Sequence, residues 1–148
     1  MVVRLEFVST FEMLDFVQIV SDHVGQRAGL DEDSLHYVGV AVRECVVNAI
    51  KHGNRNDPAK HIFVEFSAEL AGQAVDLVIR VRDQGEGFDP AEVADPLAPE
   101  NLLKSSGRGI FLIRSFMDDV QLSNMPDGGM EIRMTKRCPC DTEPGARA

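Results

Sequence analysis

Three short groups of residues carry side chains whose types and spacing could do chemistry. Glu44 and Asn48 stand four apart in a helix-periodic apolar stretch, so a helix would project both from one face. A carboxamide oxygen is a neutral hard ligand suited to Mg²⁺, and a carboxylate can take the proton of a hydroxyl or a water. The plain alternative is a solvated pair on a helix surface, since such spacings are common there. His52 comes one turn further on the same face, where a lone histidine more often satisfies the helix dipole than catalyses.

The second group is Asp83-Gln84-Gly85-Glu86-Gly87, followed by Phe88. Its two glycines let the backbone turn sharply and let a planar ring approach without Cβ interference. A carboxylate at a strand end, just before that turn, could accept a hydrogen bond from an exocyclic amino group such as adenine's. A simple strand-to-loop turn would use the same residue types. The third group, Gly107-Arg108-Gly109, opens a helix that continues through Ile110. Glycines there expose the first amides of the helix to an anion, and Arg108 could reach a terminal phosphate. A flexible joint between loop and helix is the alternative.

The elements that must hold these groups are legible from periodicity. Residues 2–8 alternate as a strand. Phe11, Leu14, Val17, Val20 and Val24 then recur at helical spacing, ending near residues 25–29. A second helix starts at Asp31, with Asp31, Glu32 and Asp33 at its positive end, and stops near Gly53. Its inward residues are Leu35, Val38, Val42, Cys45, Val46 and Ala49. Residues 61–68 and 75–82 read as two strands joined by a turn at 71–73. Residues 91–106 lack a sustained period and read as a mobile lid. A short helix follows Gly109, with Ile110, Ile113, Phe116 and Met117 as its apolar face, and a hairpin of residues 120–123 and 130–135 closes the chain. The order β-α-α-β-β-loop-α-β-β implies an α+β fold, a two-layer α/β sandwich with a mixed, mostly antiparallel sheet and helices on one face. One domain over residues 1–137 and a disordered tail from Cys138 to residue 148 are expected.

Composition narrows the functional classes. The 148 residues suffice for a single substantial core, and a net charge of −9 argues against a nucleic-acid footprint. It does not exclude a nucleotide, because backbone amides and a metal can hold phosphates on an acidic protein. No stretch is long and apolar enough to span a membrane and the start lacks a signal-peptide layout, so the cytoplasm is the expected location. Three cysteines do not describe a disulfide scaffold, and Cys138-Pro139-Cys140 has no second Cys or His pair at zinc-site spacing.

Taken together and in order, the three groups resemble the motifs of the GHKL ATPase superfamily. Glu44-Cys-Val-Val-Asn48 is similar to the N-box, Asp83-Gln-Gly-Glu-Gly87 to the first glycine box and Gly107-Arg-Gly109 to the second. Within it the chain resembles the bacterial anti-sigma-factor serine/threonine-protein kinases, through Glu44-Cys-Val-Val-Asn-Ala-Ile-Lys-His-Gly53 with Asn54, the short lid, and Gly107-Arg-Gly-Ile-Phe-Leu-Ile113. The resemblance implies the Bergerat, histidine-kinase-like ATPase fold and binding of ATP with Mg²⁺. Asn48 would ligate Mg²⁺, and Asp83 would meet the adenine amino group. Gly85 and Gly87 would shape the base pocket, and Gly107, Arg108 and Gly109 would hold the phosphates. His52, Phe88 and Ile110 would also contact the nucleotide. Glu44 would take the proton of an attacking hydroxyl.

It further implies a cycle in which a sigma factor is sequestered and a serine or threonine of an anti-anti-sigma, STAS-type protein is phosphorylated. A homodimer is expected, with the N-terminal strand and first helix as the candidate dimer or partner surface, and no direct contact with nucleic acid or membrane. The rival readings are a binding switch that needs ATP for its shape and transfers nothing, and an activator of another regulatory protein.

Overall fold

The computed structural model describes residues 1–86 and 105–139. The elements follow the expected order: β1 (Val2–Val8), α1 (Leu14–Ala28), α2 (Glu32–Asn48), β2 (His61–Ala71), β3 (Ala74–Arg82), α3 (Ser105–Phe116), β4 (Asp119–Asn124) and β5 (Met130–Pro139). The sheet runs β1-β2-β3-β5-β4, and all of its pairings are antiparallel. The parallel component expected of a mixed sheet is absent from the described residues. Each strand meets its neighbour through a hairpin or returns beside it, so no parallel crossover arises.

Local chemistry sets the helix ends. Thr10 Oγ1 accepts the N–H of Glu12, and a single 3₁₀ turn, Phe11–Met13, leads into α1. Gly29, in the left-handed region at φ 96°, closes α1 with its N–H on Gln26 O. Asp31 caps α2 by accepting the Ser34 N–H at 2.7 Å. That bond holds the Asp31 carboxyl below the usual aspartate range.

The core lies between the sheet and the helices. Strand alternation turns Ile62, Val64 and Phe66 of β2 and Leu77, Ile79 and Val81 of β3 inward, where they pack with Val17, Val24, Val38, Val42, Val46 and Ile113. Tyr37 of α2 stacks on Phe116 of α3 with ring centroids 4.8 Å apart, which fixes α3 beside α2. The opposite sheet face is bare of helices among the described residues. It carries the Arg4–Glu65 and Arg137–Asp76 ion pairs, and the Arg82 guanidinium lies 4.6 Å above the Phe63 ring.

Two boundaries differ from expectation. α3 begins at Ser105, so Gly107, Arg108 and Gly109 sit inside its first turns instead of preceding it. Each glycine costs a helix about 1 kcal/mol relative to alanine. Burial of Ile113 and Met117 on the same apolar face offsets that cost. At the other end, β5 extends to Pro139, past the boundary expected at residue 137. Cys138 pairs with Val75 and is 0% exposed, a core thiol whose pKa burial pushes up, not the start of a tail. Such a thiol behaves as a small apolar side chain. Cys140 and the remainder of the expected tail lie outside the described residues.

Candidate nucleotide site

Asp83 is the centre of the site. It follows the last residue of β3 and is 2% exposed, an unusual burial for a carboxylate. Its Oδ1 accepts two backbone N–H groups, from Gly85 at 2.9 Å and from Met130 at 3.2 Å. Among the described residues no hydrogen bond falls on Oδ2, which is the oxygen left to accept another donor. Desolvation raises the Asp83 pKa above the ordinary aspartate value, and the two backbone bonds oppose that shift only in part.

Three glycines make room for this carboxylate. A Cβ on Gly53 would collide with Asp83 Oδ2, and one on Gly129 would collide with the Asp83 carbonyl oxygen. A Cβ on Gly85 would collide with the carbonyl oxygen of Gly53. Gly129 also needs its left-handed φ of 87° to make the β4–β5 turn. The end of the α2 segment, the end of β3 and the last hairpin therefore converge within backbone contact of one another. That close backbone packing fixes a buried acceptor, and a cavity of about 200 Å³ lined by Phe63, Arg82, Gln84, Asp127 and Gly128 adjoins it.

α2 delivers Glu44 and Asn48, both half-buried, on its last turn and a half. Their apolar neighbours Val42, Cys45 and Val46 anchor the helix in the core. Cys45 lies within 3.3 Å of Met134 Sδ, and burial pushes its thiol pKa up, so it is an inert packing residue. After Asn48 the helix widens into one π turn, Ala49–Gly53, closed by the Asn54 N–H on Ala49 O. π turns of this kind are frequent at functional sites. His52 is exposed on that turn. Arg55 and Asn56 then adopt left-handed backbone, φ 52° and 59°.

Gly107, Arg108 and Gly109 are the third to fifth residues of α3, so of the three only Gly107 falls among the leading N–H groups that have no intrahelical acceptor. Ile110 is partly buried against the core and anchors that end. Gly87 and Phe88 lie outside the described residues, as does the expected lid except for its last two residues. The structure thus joins Asp83 and Gly85 to the C-terminal end of the helix that bears Glu44 and Asn48.

Sequence reasoning missed three participants. Gly53 reads as a helix stop and Gly129 as a turn glycine, and only their contact with Asp83 reveals the second role. Asn54 reads as a loop residue, yet it is fully buried. A separate groove of about 510 Å³ on the bare sheet face, lined by Arg4, Phe63, Arg80 and Arg82 among others, contains none of these residues.

The chain thus joins an antiparallel sheet, covered on one face by α1–α3, to a buried aspartate at a glycine-rich strand end. Residues 10–136 match the histidine kinase-like ATPase domain, and the chain belongs to that family. It is 31% identical over 137 residues to the anti-sigma F factor of Oceanobacillus iheyensis, covering 90% of both chains. It is 29% identical over 140 residues to the serine-protein kinase RsbW of Staphylococcus epidermidis, covering 90% of this chain and 85% of that one. The solved RsbU and RsbW domains of Rv1364c from Mycobacterium tuberculosis share the fold, with a TM-score of 0.64 and 18% identity. That match covers 97% of this chain and 35% of the other.

Proposed function

We propose that this protein is an ATP-dependent serine/threonine-protein kinase that holds a sigma factor and phosphorylates an anti-anti-sigma partner. The observation that carries the nucleotide reading is the buried Asp83 carboxylate in its glycine cradle. The similarity to an anti-sigma F factor and to kinases named RsbW supports the sigma-directed role.

In this reading Asp83 Oδ2 accepts the adenine amino group, and Gly53, Gly85 and Gly129 let the backbone pack closely enough to hold that carboxylate in place. The leading amides of α3, with Arg108, hold the phosphates. Glu44 takes the proton of the attacking serine or threonine hydroxyl while the γ-phosphoryl group passes to that oxygen and ADP departs. Positioning and charge neutralisation carry most of such a transfer. Mg²⁺, when bound, neutralises phosphate charge, and Asn48 would hold it through the carboxamide oxygen. Among the described residues no group of three His, Cys, Asp or Glu converges to cage a metal. That suits an ion that takes most of its ligands from phosphates and water.

We assign the dimer and partner surface to β1 and α1. Phe16 and Ile19 of α1, and Phe11 of the 3₁₀ turn before it, are exposed, and none of the three motifs lies on these elements. No helix among the described residues is long and apolar enough to cross a membrane. The test is a pull-down from the native cell extract in the presence of γ-labelled ATP. Co-purification of a sigma factor, and label on Ser or Thr of a second small protein, is the expected result. Retained ATP binding with no labelled protein would reduce the molecule to a nucleotide-dependent binding switch.

A further inference from the structure

The β2–β3 ladder runs from Ala71↔Ala74 to Phe63↔Arg82 and then stops. Continued in register, it would set His61 opposite Gln84. Instead, the carboxamide of Asn54 stands between the two backbones. Its Nδ2 donates to the His61 carbonyl at 2.9 Å, and its Oδ1 accepts the Gln84 N–H at 2.7 Å. The side chain thus offers one donor and one acceptor to two strands, as the peptide of an inserted strand would. The second Nδ2 hydrogen goes to Ser9 Oγ at 2.6 Å, and Ser9 Oγ donates in turn to Lys60 O at 3.0 Å. The Gln84 side chain completes the closure, its Oε1 accepting the His61 N–H at 2.7 Å.

Every arm of this carboxamide is used, and the residue is 0% exposed. The strands are parted at the residue after Asp83, where β3 must leave the sheet for its carboxylate to enter the glycine cradle. Asn54 also follows Gly53 directly, so one short segment supplies both the space for the carboxylate and the wedge that directs it.

We propose that Asn54 is a positioning residue for base recognition: wedged between β2 and β3, its carboxamide aims the Asp83 carboxylate and the Gly85 turn at the adenine amino group. The proposal rests on the reading of Asp83 as the adenine acceptor. It concerns selectivity among bases more than binding as such, because the phosphate contacts lie on α3.

The test compares, by titration calorimetry on the full chain, ATP with purine riboside triphosphate, which lacks only the amino group. Wild type is expected to prefer ATP by about 10- to 100-fold, the range of one hydrogen bond to a charged acceptor. Asn54→Ala is expected to bring that ratio to within about threefold of unity. A purely structural role would lower the melting temperature and weaken both nucleotides alike, so a folded Asn54→Ala protein with the wild-type ratio overturns the proposal. If Asn54→Ala does not fold, Ser9→Ala decides the matter. It removes one arm of the wedge and touches no assigned nucleotide contact. A ratio lowered by roughly threefold, as expected for one neutral hydrogen bond, supports the wedge. An unchanged ratio overturns it. If wild type binds both nucleotides equally, the assignment of Asp83 to adenine fails first, and the role of Asn54 in base recognition falls with it.

Discussion

Gly53 lies so close to Asp83 that any Cβ at position 53 would strike the carboxylate oxygen Oδ2. Backbone and carboxylate come from elements about thirty residues apart in sequence, and their contact couples the end of the α2 segment to the end of β3. The oxygen that would meet a base is thereby set by the helix that carries Glu44 and Asn48. A substitution at either side of the contact is felt at the other.

Gly53→Ala should therefore displace the carboxylate. Overpacking of this kind typically costs about 1–3 kcal/mol of stability. Nucleotide affinity is expected to drop by at least about tenfold as the acceptor leaves its line, the scale of a lost charge-assisted bond. Differential scanning calorimetry and ATP titration on the same sample measure the two effects.

The pH dependence follows from the raised pKa of Asp83. A carboxyl whose folded pKa lies above its unfolded value penalises the fold at neutral pH, and the penalty is relieved as pH falls through the folded pKa. Asp31 and Asp76 are lowered, by the backbone bond from Ser34 and the side-chain bond from Arg137 respectively. Their contributions have the opposite sign, present above the unfolded pKa and lost as pH falls through the folded one. Substituting Asp83→Asn cancels the first effect and leaves the other two. The melting temperature of wild type minus that of Asp83→Asn is expected to rise as pH drops through a window beginning above the ordinary aspartate pKa. A difference flat in pH would contradict the burial account.

Glu44→Gln separates a kinase from a binding switch. The amide keeps the size and cannot take a proton, so phosphoryl transfer to the partner should drop by about 10²- to 10⁴-fold. ATP affinity should stay close to wild type, because no nucleotide contact is assigned to this side chain. A mutant that transfers phosphate at the wild-type rate would remove the catalytic role of Glu44.

Asn48→Ala addresses the metal. ATP affinity measured with and without Mg²⁺ should differ in wild type and converge in the mutant, since the carboxamide is the assigned protein ligand. Equal Mg²⁺ enhancement in both proteins would move that ligand elsewhere.

Much of the fold was legible because its signals are periodic. The i,i+4 run from Val38 to Ala49 and the alternation of Val75, Leu77, Ile79 and Val81 each record one buried face. The motifs singled out the Asp83 loop and the α2 face, and the contact of Gly53 with Asp83 sets the two segments side by side. Gly53, Asn54 and Gly129 escaped because their roles are contacts with a residue distant in sequence, and each also has an ordinary local reading. The π turn at Ala49–Gly53 has no periodic signature, since a single widened turn leaves the apolar spacing around it intact. The reach of β5 to Pro139 was hidden by Lys136 and Arg137. The latter turns outward to Asp76, at 2.9 Å, while Cys138 turns in.

The most direct test is ATP titration of Asp83→Asn beside wild type. The substituted carboxamide can still accept the Gly85 and Met130 N–H groups through its oxygen, so the fold should persist with an unliganded melting temperature equal to or above wild type. In place of Oδ2 it presents a donor to a donor. A loss of about 10- to 100-fold in ATP affinity is expected, the range for a hydrogen bond to a charged group. Unchanged affinity in a folded Asp83→Asn protein would contradict the placement of the base, and the nucleotide site built on it.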